Sequence, residues 1–138
     1  MLGRNAKVDL LKRVPLFAGC TKAELRELAT IADEIDLREG VALTREGKPA
    51  HEFLVIVDGT ARVTQKGRTL ADLGPGDWLG EIALLTKSNR TATVTTTSRV
   101  RALVVTDRGF RRLVEAMPSI AMKVMTSVAD RLARDLRS

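Results

Sequence analysis

The sequence predicts a mainly β domain, an antiparallel sandwich or barrel flanked by helices, and three observations carry that prediction. Between Asp36 and about Thr106, runs rich in Val, Leu, Ile and Thr alternate with glycine-containing turns: REG, REGKP, VDGT, QKGR and LGPGD. Turn signals at such short intervals mark short antiparallel strands. On either side of this region the apolar residues recur at helical spacing instead. The chain of 138 residues suits one domain with one core.

The helical N-terminal part covers about residues 8–35. Leu10, Leu11 and Val14 form one apolar set, and Leu25, Leu28, Ala29, Ile31 and Ala32 form the next. Pro15 interrupts the pattern, so the segment ending at VPLFAG is a separate helical turn or short helix. Thr21 followed by Glu24 is a capping box, which places a helix start at about Lys22 with Leu25, Leu28, Ala29 and Ala32 turned inward.

The β part covers about residues 36–106. Its longest apolar run is Phe53-Leu54-Val55-Ile56-Val57, and Asp58-Gly59 after it is a hairpin-type pair. Gly74-Pro75-Gly76-Asp77 is a second turn. Helices return over about residues 107–138. Asp107 can cap a first helix through Phe110, Leu113 and Val114, ending near Met117 because Pro118 follows. A second helix then runs to the C-terminus with Met122, Met125, Ala129, Leu132 and Leu136 in an a/d stripe. That stripe fits either packing on the chain's own barrel or a dimer seam.

Composition narrows the function classes. The 44% hydrophobic and 29% charged content belongs to a globular protein and not to a disordered one. The Phe53–Val57 run is far shorter than the ~20 residues of a membrane span, and no secretion signal follows the N-terminus, so a cytoplasmic protein is expected. With a single cysteine, Cys20, and a single histidine, His51, no disulfide and no Cys/His metal site are expected. Of the net charge of +6, most lies in residues 99–138, which hold nine Lys/Arg against four Asp/Glu. Such a run fits a solvated helix face better than a nucleic-acid surface.

One stretch carries chemistry: GEIALLTKSNRTATV, Gly80 to Val94. It reads as a short helix, a loop, an arginine and the start of a strand. A helix N-terminus offers unpaired N–H groups and a positive dipole end, which makes Gly80 to Ala83 an anion cradle. Arg90 aimed at the same point would complete it with a charge-assisted bond. Glu81 would repel a phosphate but accept hydrogen bonds from sugar hydroxyls. The ligand this describes is a small sugar phosphate bearing a base. With no activated nucleophile, histidine or metal cluster beside that pair, binding without turnover is the expectation.

The same stretch resembles the phosphate-binding cassette of the cyclic nucleotide-binding domain family, Gly-Glu-(Leu/Ile)-Ala-Leu, a loop, then Arg-(Thr/Ser/Ala)-Ala-(Thr/Ser)-Val. VPLFAGCTKAELRELA is similar to that family's N-terminal helical motif, FLVIVDGTARV to its central hairpin, LGPGDWLGE to the approach to the cassette, and FRRLVEAMPSIAMKVM to its C-terminal helices. The resemblance implies a single domain over residues 1–138, with an eight-stranded jelly-roll barrel holding cyclic AMP or cyclic GMP and C-terminal helices that close over the nucleotide. It implies that Arg90 binds the cyclic phosphate, with Thr91 and Ala92 beside it, and that Glu81 binds the ribose 2'-hydroxyl. Gly80, Ile82 and Ala83 would supply backbone around sugar and phosphate. Thr91 argues for tolerance of cyclic GMP, and Val63 and Leu73 are the candidate base contacts.

Three function classes follow. The first is a receptor module that needs no cofactor besides its cyclic nucleotide ligand and signals to a protein partner or a second copy through its last helix. Another is the sensor part of a transcription regulator, although no helix-turn-helix follows the long C-terminal helix, so nucleic acid is not an expected partner. The third is a ligand-free interaction domain, which would be expected to lack Glu81 or Arg90. Both are present.

Overall fold

The computed structural model describes residues 4–49, 51–80 and 89–137. Helix α1 (Arg4–Lys12), a 3-10 turn (Pro15–Phe17) and helix α2 (Lys22–Ile31) precede eight strands. These are β1 (Ala32–Leu37), β2 (Ala42–Thr44), β3 (Glu52–Asp58), β4 (Ala61–Gln65), β5 (Arg68–Leu73), β6 (Trp78–Leu79), β7 (Thr93–Thr96) and β8 (Val100–Thr106). Helices α3 (Asp107–Ala116) and α4 (Pro118–Arg137) follow. The strands form two antiparallel four-stranded sheets in the orders β1-β8-β3-β6 and β2-β7-β4-β5, the strand order of a jelly roll.

The apolar run Phe53–Val57 is the key to the layering. Alternate residues of a strand point to opposite faces, so an unbroken apolar run means that both faces are covered. Phe53 and Val55 join Leu103 and Val105 of β8 in a cluster roofed by the helices, with Leu11, Leu28, Phe110, Leu113 and Ile120. Leu54 and Ile56 point the other way and meet Leu79, Val94, Ala102 and Val104 between the sheets. The rings of Phe53 and Phe110 lie 4.8 Å apart between centroids, tying β3 to α3.

At the N-terminus the capping box forms as expected: Glu24 N–H donates to Thr21 Oγ1 at 3.2 Å, and Thr21 N–H donates to Glu24 Oε1 at 2.7 Å. The helix-to-strand change, however, falls at Ala32, ahead of the boundary at Asp36 that periodicity gives. Ala32 is buried as expected, but it is a strand residue paired with Val105 of β8. Its N–H still closes the last turn of α2 on Leu28 O, and Lys7 Nζ donates to the carbonyls of Ala29 and Ala32 at 3.2 and 2.9 Å. An ammonium from α1 thus satisfies carbonyls at the end of α2 where no glycine is available.

The cap of the first C-terminal helix is corrected, and one of the two roles open to the α4 stripe is narrowed. The cap of α3 is Thr106, whose Oγ1 accepts from Gly109 N–H at 3.1 Å; Asp107 lies inside the first turn and pairs with Arg111 at 3.0 Å. On α4 the buried residues are Ile120 and Val124, with Val128 partly buried beside them. Met122 and Met125 of the a/d stripe are 62% and 60% exposed. The side chains of Leu132 and Leu136 lie outside the described residues. Among the described side chains, packing on the chain's own core therefore uses a different face of α4 from that of Met122 and Met125.

Candidate functional site

Arg90 sits where three distant segments meet. The turn after β2 doubles back with Lys48 N–H on Arg45 O at 3.1 Å, and Gly47 takes φ +80°, a conformation that favours glycine. This turn holds the arginine's backbone on both sides: Gly47 N–H donates to Arg90 O at 2.9 Å, and Arg90 N–H donates to Lys48 O at 2.8 Å. Pro49 and Asn89 form a bridge next to it. The guanidinium then reaches the first residue of β3, where Nη2 donates to Glu52 O at 2.6 Å.

Its other neighbour is Gly80. Because Leu79 pairs with Leu54, the end of β6 delivers Gly80 to the start of β3, with φ +98°. A Cβ on this glycine would collide with Arg90 Nη1 and stand 2.8 Å from Glu52 O. The glycine thus serves two needs, a left-handed backbone angle and room for a guanidinium lying on its backbone. Arg90 is consequently only 8% exposed.

The residues after Arg90 are fixed by cross-strand polar contacts. Gln65 Nε2 donates to Thr91 O at 2.9 Å, and Thr44 Oγ1 donates to Ala92 O at 3.0 Å. Thr91 is exposed and Ala92 is half-buried. The strand itself begins at Thr93, so Thr91 and Ala92 form a bend instead of the strand start that the pattern TATV predicts. Val63 lies opposite Val94 and Ala71, and Leu73 opposite Ala61. Both are half-buried against the cluster between the sheets. That puts the two candidate base contacts on the inner face of β4 and β5, an apolar wall that the protein's own side chains leave partly uncovered.

Gly80 and Arg90 are therefore brought into contact, with Thr91 and Ala92 adjacent, while Val63 and Leu73 line the same barrel. Glu81, Ile82 and Ala83 lie outside the described residues. Sequence reasoning did not identify Glu52 or the Arg45–Lys48 turn as parts of this site. Their contribution to Arg90 is through backbone atoms, which any residue type can supply; the glycine of REGKP was the available sign of a tight turn. An open cavity of about 220 Å³ is lined by β2, this turn, His51, Glu52 and Arg90. Trp78, with Cys20, packs at the edge of the helix-roofed cluster, and burial pushes the Cys20 thiol up, with the Glu24 carboxylate adding to the effect. Among the described residues no group of three His, Cys, Asp or Glu side chains could hold a metal ion, and no helix is long and apolar enough to cross a membrane.

Comparison with known proteins agrees with this geometry. The chain is 34% identical over 132 residues to a candidate potassium channel protein of Rhodopseudomonas palustris, covering 93% of this chain and 32% of that protein. It is 31% identical over 118 residues to a cAMP-dependent protein kinase regulatory subunit of Dictyostelium discoideum, covering 80% of this chain and 36% of that one. The chain thus spans about a third of the length of these relatives. A regulatory subunit of a cAMP-independent protein kinase A from Trypanosoma brucei has the same fold, with a TM-score of 0.83 at 19% identity over 92% of this chain and 46% of that one. The family model for the cyclic nucleotide-binding domain matches residues 34–117, from within β1 to the end of α3. With its strand order, its buried arginine against Gly80 and this match over most of its length, the chain belongs to the cyclic nucleotide-binding domain family.

Proposed function

We propose that this chain is a single-domain, non-catalytic receptor for a cyclic nucleotide, cyclic AMP with cyclic GMP tolerated, acting in the cytoplasm. The observation that carries the reading is the seat of Arg90: three segments converge to hold one guanidinium against the glycine that opens the cassette. In this reading Arg90 and the backbone of Gly80 to Ala83 bind the cyclic phosphate. Glu81 accepts the ribose 2'-hydroxyl, Thr91 and Ala92 border the phosphate, and the base lies on Val63 and Leu73. One arginine and a helix end suit a compact monoanion, and Glu81 penalises further negative charge, so linear 5'-AMP is disfavoured.

The output in this reading is α4, whose exposed Met122 and Met125 leave an apolar face for a protein partner or a second copy. A ligand shifts that helix only if it contacts one arrangement better than another. Hydrogen exchange is therefore expected to slow from about Met117 to Ser138 as well as in Gly80 to Val94 on addition of cyclic AMP. Slowing confined to the cassette removes α4 as the output.

A ligand-free interaction domain is the competing reading, because the fold by itself does not require a bound nucleotide. Thermal unfolding with cyclic AMP, cyclic GMP and 5'-AMP separates the two. A ligand that binds only the native state adds RT ln(1 + [L]/Kd), about 2.7 kcal/mol at a hundredfold excess over Kd. Stabilisation by cyclic AMP above that by 5'-AMP is the expected result; equal effects, or none, refute the receptor reading.

A further inference from the structure

The cavity beside Arg90 has a charge pattern that the seated nucleotide does not explain. Its lining includes Arg45, Lys48 and Arg90 against a single carboxylate, Glu52, with His51 the remaining titratable group. Arg45, Lys48, His51 and Glu52 are exposed, whereas Arg90 is buried at the inner side. The turn's own carboxylate, Glu46, is engaged elsewhere, its Oε1 accepting from Lys66 N–H at 3.0 Å. Two exposed cations thus stand on the same short turn whose backbone clamps Arg90 on both sides. A concave site lined by one sign of charge focuses its field outward and raises the local concentration of opposite charge.

We propose that the Arg45–Lys48 turn is a capture site for the ligand's phosphate: Arg45 and Lys48 hold the anion at the cavity mouth in the encounter complex, before it reaches Arg90. The inference rests on the reading of Arg90 as the phosphate's final partner. It assigns Arg45 and Lys48 to the speed of association and leaves the lifetime of the complex to the buried arginine and the cassette. Electrostatic steering of this kind acts on kon and fades with salt, whereas contacts to a seated ligand appear in koff.

The test compares the wild-type chain with Arg45→Ala/Lys48→Ala and with the charge-reversed Arg45→Glu/Lys48→Glu, by stopped-flow binding of a fluorescent cyclic AMP analogue across ionic strength. At about 10 mM ionic strength the alanine pair is expected to lower kon by roughly threefold or more, and the glutamate pair by more again. Above about 0.5 M salt the three should converge, with koff unchanged within about a factor of two throughout. Inorganic phosphate, followed through the amide resonances of Gly47 and Lys48, should give saturable shifts that the double variants lose. An unchanged kon, a rise confined to koff, or a flat phosphate titration overturns the capture site. If the wild-type chain binds no cyclic AMP yet phosphate still shifts those amides, the capture site stands and the nucleotide reading falls.

Discussion

The two sheets of this barrel are built to different standards of burial. Strands β3 and β8 of the first sheet are covered on both faces, by helices outside and by the opposing sheet inside. In the second sheet β5 is exposed from Arg68 to Asp72, with Leu70 57% exposed, and only Leu73 turns partly inward. Apolar burial is what holds a fold together, so the first sheet and its helices carry the stability. The second sheet, less committed to packing, is free to present an apolar wall and the arginine's surroundings to a ligand. The comparison teaches that Arg90 is located at the seam: its backbone belongs to the loop leading into the lightly buried sheet, while its guanidinium is anchored on β3 of the heavily buried one.

Substitutions can break this division or sharpen it. Phe53→Ala removes a ring buried between β3 and α3 and is expected to cost about 3 to 5 kcal/mol of stability in denaturant unfolding. Arg90→Ala should cost on the order of 2 to 5 kcal/mol of cyclic nucleotide affinity by titration calorimetry. Because its guanidinium also bonds Glu52 O, it should cost about 1.5 to 3 kcal/mol of stability as well. An Arg90→Ala chain as stable as the wild type would mean that the anchor to β3 is idle. Glu81→Ala should weaken binding by about 1.5 to 3 kcal/mol and erase the preference for ribose over 2'-deoxyribose. Unchanged calorimetry for both variants would place the ligand elsewhere.

Gly80→Ala joins the two sheets' roles in one position. The substitution is expected to cost about 1 to 3 kcal/mol from the strained φ, with a further loss of affinity as the new methyl displaces the guanidinium. A change in neither quantity would contradict the close approach of Gly80 and Arg90. At the other extreme, Leu70→Ser should move the unfolding midpoint by no more than about 0.5 kcal/mol, as is usual for surface sites. A large loss there would show that β5 is covered in solution by something else.

How much of this was legible in the sequence depended on whether a side-chain pattern recorded it. Thr21 with Glu24 announced the start of α2, and the Val-, Leu-, Ile- and Thr-rich runs between glycine turns announced an antiparallel β core, because both are written in residue types. The extent of β1 was not legible. Ala32 to Ile35 continue a helical spacing, and the pairing with β8 that converts them to strand lies far along the chain. Within the site, Arg90 and Gly80 were identified from the cassette pattern. The support for Arg90 was hidden, since Glu52 lies 38 residues earlier and contributes a carbonyl that every residue possesses. The stripe on α4 left two roles open for a different reason. Two apolar faces coexist on that helix, and periodicity alone does not say which one packs.

The order β1-β8-β3 also has a consequence for how the chain folds. Ala32 meets Val105 and Phe53 meets the same residue from the other side, so the last strand made is the one that joins the first to the third. Pairings across such sequence separations raise the contact order and slow folding, because the loop must close before any contact rewards it. Until β8 is available, both β1 and β3 present open edges, and β3 carries the most apolar run in the chain. A chain ending before Val100 would therefore lose the strip that both edges wait for, and aggregation through Phe53–Val57 is its expected fate during synthesis.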